Sequence, residues 1–375
     1  MTGLHKRIDA HVHYALPLKP ETLISFMDKT GTDMANLVLV PSMSRLSCAP
    51  DALMAKYRYP DRFYVFASLD VSGYFMAGKK LGTHMVKHVR NMRKCGCDGV
   101  KIIEGKPSMR KILPVPDFDD PCWEPFWAYV ETEQVPILWH LNDPEEYWDL
   151  EAATPLKVQM GDVYDESFVG REDQYRQVYN ILKRHPNIKI IFAHFFFMSR
   201  QLDRLGKLFD TYPNLMVDMA PGSEMYRHLS ANHDQAQAFF KRYYTQILYG
   251  TDVASRCVML SRMEGFNEKE NLRRIEIIES FFTPGMDTVI GSDGEYLLDV
   301  ADFRLRGLEL TKEELDHIFC KNFQRFVGES PAPVDPKEVR KECIRILIKL
   351  KIMGLANKGM PTDDSVAKSA LAFFK

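Results

Sequence analysis

The chain has 375 residues, of which 45% are hydrophobic and 27% charged, and its 49 basic and 51 acidic residues give a formal net charge of −2. This composition is typical of a soluble globular protein, and the near-neutral charge does not supply the basic surface that nucleic-acid binding requires. No apolar run approaches the ~20 residues that span a bilayer, and the N-terminus has no apolar signal segment, so we expect a cytoplasmic protein without a membrane partner.

Eight short apolar runs, rich in β-branched residues, follow one another along the chain and predict buried parallel strands. They cover residues 7–13, 35–42, 62–70, 98–104, 136–142, 188–195, 214–220 and 246–253. Segments with helical periodicity separate most of them, for example 20–28, 121–134, 171–184 and 200–212. Right-handed crossovers then give one parallel sheet, and eight strands predict its closure into a (β/α)₈ barrel of the α/β class.

After the eighth strand the sequence predicts helices only. Thr311 and Glu314 form a capping box, and prolines at 331, 333 and 336 mark a break before a further helix with apolar residues at helical spacing. We therefore predict a barrel over residues 1–328 and a helical C-terminal extension over residues 329–375. The extension is expected to pack on the barrel or on a second subunit of a homo-oligomer.

The first strand ends in two histidines, His11 and His13, separated by one residue. A period of two places both imidazoles on one face of the strand, and in a barrel that face points inward at the carboxyl end, where active sites of this fold lie. The pair is consistent with two nitrogen ligands of a metal or with two hydrogen-bonded pocket histidines.

Further candidate ligands stand at the same end of other strands: His140 after the fifth, His194 after the sixth and Asp252 after the eighth. Closure of the barrel makes the eighth strand the neighbour of the first, so Asp252 is expected beside the two histidines, with His140 on the opposite wall. Three imidazoles and one carboxylate around an open position suit a catalytic Zn²⁺ or a similar divalent ion.

Taken in order, these motifs resemble the amidohydrolase superfamily, and more narrowly its amidohydrolase 2 branch of metal-dependent hydrolases and decarboxylases. The resemblance rests on IDAHVH, PILWH, KIIFAH and LYGTDV, and more weakly on KNFQRFVG with Asn322, over residues 7–328. It implies a metal-dependent enzyme on a barrel and does not imply a particular substrate.

Residue by residue, the resemblance makes His11, His13 and His140 metal ligands and makes Asp252 both a ligand and the acceptor of a proton from the activated water. His194 becomes the residue that orients that water or the reacting carbonyl. We expect one divalent metal, Zn²⁺ or else Mn²⁺.

Lys101 leaves an alternative open. It lies on the fourth strand, where two-metal members of the superfamily carry a carbamylated lysine, and in that case His194 would bind a second metal. Otherwise Lys101 is a cation for a substrate carboxylate, with Glu104 either its ion-pair partner or a further substrate contact.

Several residues that follow strand ends are predicted to face the mouth and bind substrate, and the cations among them suggest an anionic small molecule. They are Arg45, Lys106, Arg110, Trp139, Asn142 and Arg256.

Three functions remain open from the sequence. The first is a metal-dependent hydrolase that cleaves an amide, lactone or related ester-like bond in a small carboxylate-bearing molecule. The second is a non-oxidative decarboxylase on the same site. The third is a catalytically silent barrel that acts as a binding protein, which the intact set of ligand residues disfavours.

Overall fold

The computed structural model describes residues 6–15, 18–41, 46–151, 161, 163–222, 224–254, 265–291, 302–356 and 363–375. Within these residues no helix combines the length and the apolar character that crossing a membrane requires.

The described strands form one parallel sheet and one small hairpin. The parallel strands are β1 (Ile8–His13), β2 (Met34–Val38), β3 (Phe63–Ser68), β4 (Gly99–Gly105), β5 (Ile137–Leu141), β6 (Ile190–Phe192), β7 (Leu215–Asp218), β8 (Ile247–Leu248) and β9 (Val253–Ala254). They follow the order β8-β7-β6-β5-β4-β3-β2-β1-β9. Because β8 and β9 are two parts of the predicted eighth strand, and pair with β7 and β1 respectively, the sheet closes on itself. The predicted (β/α)₈ barrel is confirmed.

Helices separate the strands and follow the last of them. They are α1 (Pro20–Thr30), α2 (Ala49–Arg58), α3 (Ser72–Met76), α4 (Leu81–Cys95), α5 (Pro107–Ile112), α6 (Glu124–Thr132), α7 (Arg171–Arg184), α8 (Leu202–Thr211), α9 (Met225–Ala231), α10 (His233–Tyr243), α11 (Glu268–Phe281), α12 (Lys312–Asp316), α13 (Asn322–Val327), α14 (Pro336–Ala356) and α15 (Ser365–Phe373). The predicted capping box is present, since the Thr311 hydroxyl accepts from the Glu314 amide and the Glu314 carboxylate accepts from the Thr311 amide.

One element departs from the sequence prediction of helices alone after the eighth strand. An antiparallel hairpin pairs β10 (Asp287–Ile290) with β11 (Phe303–Arg306). Each strand has four residues, several of them exposed, so neither gives the continuous apolar run by which the barrel strands are recognised.

The barrel interior is filled by apolar side chains from nearly every strand, including Ile8, Met34, Phe66 and Leu138. Helix α13 closes the amino end: Phe323 and Phe326 join this cluster. The α13 residue Asn322 donates to the carbonyl of Ile247 at the start of β8. With the amino end closed, the carboxyl ends of the strands form the mouth.

The C-terminal helices pack on the outside of the barrel. Val339, Cys343 and Ile346 of α14 share one apolar cluster with residues of α2 and α4. Lys349 of α14 forms an ion pair with the buried Asp70, which follows β3. Division of the chain at residue 328 stays a prediction, as does a homo-oligomer.

Candidate active site

A bulge in β1 turns the two histidines into the barrel. Asp9 pairs with Ala35 and Val12 pairs with Leu37, so between these two pairs β1 advances by three residues while β2 advances by two. Ile8 belongs to the interior cluster, and unbroken alternation from it would place both histidines outside. The extra residue reverses the alternation, and bulges next to active sites commonly aim side chains in this way.

The histidines meet Asp252 and Lys101 at the carboxyl end of the sheet. The Nε2 atoms of His11 and His13 are 3.2 Å apart, and Asp252 Oδ1 lies 3.1 Å from His13 Nε2 and 3.5 Å from His11 Nε2. Lys101 Nζ is 3.0 Å from His11 Nε2 and does not ion-pair with Glu104 among the described residues. The expected approach of Asp252 to the first strand is therefore what the structure shows.

His194 reaches the same centre from a left-handed turn. Residues 194–197 all have positive φ angles, between 51° and 59°, and in non-glycine residues such a conformation costs roughly 1–2 kcal/mol each. Surrounding contacts hold the turn: Asp218 Oδ1 accepts from the His194 amide at 2.8 Å, and the Tyr175 hydroxyl donates to the Phe196 carbonyl at 3.0 Å. Backbone strain of this kind concentrates at functional sites. One ligand atom each of His11, His194 and Asp252 lie within 4.8 Å of one another.

His140 stands beside this group but faces another partner. Its ring centroid is 4.8 Å from that of His194, and its Nε2 atom lies 3.2 Å from Asp143 Oδ1. The same oxygen accepts from Lys106 Nζ at 3.2 Å. Burial acts to raise the pKa of Asp143, but Lys106 and His140 outweigh it and lower the pKa to about 2.

Two buried residues that the sequence analysis missed hold the central side chains in place. Asp218, at the end of β7, accepts from His11 Nδ1 at 2.8 Å. Because the carboxylate accepts at Nδ1, the proton of His11 is on that nitrogen and Nε2 is left to face the centre. Arg274 of α11 donates to Asp252 Oδ2 at 2.8 Å, which leaves Oδ1 toward the histidines. The strand-end position of Asp218 was a usable signal, whereas nothing in the sequence pairs Arg274 with Asp252.

The electrostatics of the site follow from burial and close charges. Burial, reinforced by the Lys101 ammonium, holds the pKa of His11 well below its ordinary value. Burial lowers the pKa of Lys101 to about 8, against the opposing effect of nearby carboxylates. Burial acts to raise the pKa of Asp252, but Arg274 and the imidazole of His13 outweigh it, and the pKa lies well below its ordinary value. The imidazole of His11 is thus neutral and available as a ligand, and Asp252 is ionised.

Other residues predicted to bind substrate are mostly engaged elsewhere. Asn142 is buried, with its amide bonded to the Arg171 carbonyl and its oxygen accepting from Gln174. Arg110 is bonded to Asp117 at 2.6 Å.

Glu104 and Trp139, also predicted near the mouth, are buried. Trp139 stacks on Trp127 on the helix-facing side of the sheet, so its predicted place at the mouth is wrong. Burial raises the pKa of Glu104 to about 7. Arg45 and Arg256 lie outside the described residues.

Comparisons with known proteins agree on the fold. A family model described as amidohydrolase matches residues 88–328. A search of curated protein sequences gives no match. Among solved structures, an amidohydrolase II is similar with 17% identity and a TM-score of 0.52, covering 86% of this chain and 99% of its own.

Two further structures show the same likeness. The 2,6-dihydroxybenzoate decarboxylase from Rhizobium has 13% identity and a TM-score of 0.50, with 86% of this chain and 98% of its own covered. The 4-oxalomesaconate hydratase from Rhodopseudomonas palustris has 14% identity and a TM-score of 0.50, with 86% and 95% covered. At these identities the likeness concerns the fold alone.

Proposed function

Because the chain belongs to the amidohydrolase family, we propose that it is a metal-dependent hydrolase that cleaves an amide, lactone or related ester-like bond in a small carboxylate-bearing molecule. The observation that carries the proposal is the convergence of His11, His194 and Asp252 within 4.8 Å at the barrel mouth, with His13 beside them.

The donor set fits a divalent ion. Imidazole nitrogens and a carboxylate oxygen suit Zn²⁺ or Mn²⁺, and His11 and His13 with Asp252 would hold it. His140 is the remaining predicted ligand, and in the structure its Nε2 atom bonds Asp143 instead. When bound, the ion would act as a Lewis acid and bring the pKa of a water molecule toward ~7.

Proton transfer falls to Asp252. Arg274 fixes its Oδ2 atom and so orients the carboxylate, which would accept the proton of the attacking water and pass it to the leaving group. His194 is positioned by its left-handed turn, with Nδ1 3.2 Å from the Ala220 carbonyl, and its Nε2 atom would orient the water or the carbonyl.

Lys101 would hold the substrate carboxylate, since it is a buried cation beside the histidines. A charge-assisted contact contributes about 1.5–3 kcal/mol, so Lys101→Met should raise KM for acidic substrates roughly tenfold to a hundredfold and affect neutral analogues less. The exposed Lys111 supplies the matched control, Lys111→Met. Unchanged discrimination between acidic and neutral analogues would contradict this role.

A non-oxidative decarboxylase is the second candidate, and the same lysine favours it, because the carboxylate held by Lys101 would then be the group that leaves. The two reactions differ in their products. Decarboxylation releases CO₂, whereas hydrolysis consumes water and gives two fragments or an opened ring.

A substrate panel separates the candidates. Metal-loaded protein is incubated with lactones, N-acyl amino acids and hydroxybenzoates, including 2,6-dihydroxybenzoate, and products are identified by mass spectrometry alongside CO₂ detection. We expect metal-dependent hydrolysis of a lactone or an N-acyl compound. CO₂ release without hydrolysis selects the decarboxylase, and no metal-dependent turnover in any class contradicts both.

A further inference from the structure

Glu224, in the loop after β7, has a buried carboxyl group that no described residue satisfies. The residue is 3% exposed, and neither Oε1 nor Oε2 has a hydrogen-bond partner among the described residues. Leaving a buried polar group unpaired costs about 1–3 kcal/mol, which a protein tolerates where the group has a functional partner.

The carboxyl group of Glu224 lies against Gly222. A Cβ atom on Gly222 would be 2.8 Å from Glu224 Oε2, closer than ordinary contact, so a side chain at position 222 would displace the carboxyl group.

Glu224 follows β7 and therefore lies at the carboxyl end of the sheet, the end that forms the mouth of the barrel. Asp143, which bonds His140, and Glu146 both act on it electrostatically. Glu146 is 2.9 Å from His228 Nε2, and the opposite ring nitrogen of His228 is 3.0 Å from the Ser199 hydroxyl. His228 therefore lies between Ser199 and Glu146, and Glu146 in turn acts electrostatically on Glu224.

The pKa values of Glu146 and Glu224 are shifted in opposite directions. Burial acts to raise the pKa of Glu146, but the close imidazole of His228 and the nearby Arg200 lower it to about 2. For Glu224, burial together with the charges of Glu146 and Asp143 outweighs the effects of its own backbone amide and of Arg227 and raises the pKa to about 8. Paired acids with opposed pKa values are typical of sites in which one carboxyl stays neutral in order to donate.

We propose that Glu224 is a substrate-binding residue whose buried, unpaired carboxyl group donates a hydrogen bond to an oxygen atom of the substrate. A neutral carboxyl offers one O–H donor, and the ionised Asp143 and Glu146 beside it already serve as acceptors. The matching ligand carries a carbonyl, phenolate or carboxylate oxygen remote from the bond that reacts. This inference deepens the proposed function and rests on its assignment of the mouth as the substrate site.

Binding of 2,6-dihydroxybenzoate to metal-loaded protein, measured by calorimetry at about pH 6 and about pH 9.5, tests the contact. The parent should bind more weakly at the higher pH. Glu224→Gln keeps a donor at both values and should lose less, and because probe and metal site titrate alike in both proteins, the difference isolates Glu224. Glu224→Leu should weaken binding roughly tenfold to a hundredfold at the lower pH.

Two further variants sharpen the result. Gly222→Ala displaces the carboxyl without removing it and should weaken binding in the same direction as Glu224→Leu. Glu145→Gln, a half-exposed neighbour bonded to Arg200, should bind as the parent does.

Infrared difference spectra between the parent and Glu224→Gln report the protonation state of the Glu224 carboxyl group without any substrate. A protonated carboxyl band should be present at about pH 6 and absent at about pH 9.5. Absence of the band at the lower pH overturns the donor, and parent-like binding by Glu224→Leu, or no probe binding by the parent, overturns the ligand contact. None of these readouts depends on turnover, so failure of the proposed function shows separately in the substrate panel.

Discussion

Replacing Asp218 by asparagine tests whether its buried carboxylate, by accepting a hydrogen bond from His11, keeps His11 in the form that can bind a metal. Asp218 Oδ2 accepts from His11 Nδ1 at 2.8 Å, while Oδ1 accepts from the backbone amides of His194 and Ala220 at 2.8 and 3.2 Å. In Asp218→Asn the amide oxygen can keep both backbone bonds, but the amide nitrogen meets Nδ1 as a donor. The His11 proton must then move to Nε2, the nitrogen that faces the proposed metal site.

Loss of such a supporting contact typically reduces metal affinity about 10- to 100-fold, which corresponds to about 1.4–2.7 kcal/mol. Competition with a chromophoric chelator measures the affinity for Zn²⁺, and the thermal midpoint reports whether the fold is retained. Asp210→Asn is the matched control, because Asp210 is an exposed carboxylate paired with Arg242. Affinity within about twofold of the parent, or an equal loss in the control, would show that Asp218 does not support the metal site.

Three further predictions concern neighbouring charges. Arg274→Met removes the guanidinium paired with the buried Glu270 and with Asp252 Oδ2, and should lower the free energy of unfolding in urea by about 3–5 kcal/mol, whereas Arg273→Met, at a more exposed position, should have little effect; equal losses would contradict this. Asp252→Asn should lower turnover about 10²- to 10⁴-fold, and turnover near the parent's would exclude Asp252 as proton acceptor. Burial acts to raise the pKa of Asp70, but neighbouring imidazoles and the Lys349 ammonium outweigh it and hold the pKa below its ordinary value. Its contribution to stability is therefore present at neutral pH and is lost below about pH 4, so unfolding measured against pH should show a smaller acid dependence in Asp70→Asn.

The barrel was predictable because buried parallel strands give continuous apolar runs, and the strand-end histidines were predictable because such strands open onto one mouth. The orientation of His11 and His13 was not, because it depends on a bulge that adds one residue to β1. Alternation alone, counted from Ile8, gives the opposite face.

Arg274 and Glu224 could not be predicted from the sequence, for a different reason. Arg274 acts from a helix that follows the last barrel strand, and its link to Asp252 exists only in three dimensions. Glu224 carries no motif, and its character comes from burial and from Glu146 and Asp143, which lie about eighty residues earlier in the chain.

Stepwise return of Zn²⁺ to chelator-treated protein, with bound metal and turnover of the best panel substrate followed together, tests whether the enzyme depends on a metal held by His11 and His13. We expect turnover to be lost on chelation and to return in proportion to bound metal up to about one equivalent, and we expect a His11→Ala, His13→Ala double variant neither to retain the metal nor to recover. Turnover that survives complete metal removal, or metal content unchanged in the double variant, would contradict this dependence.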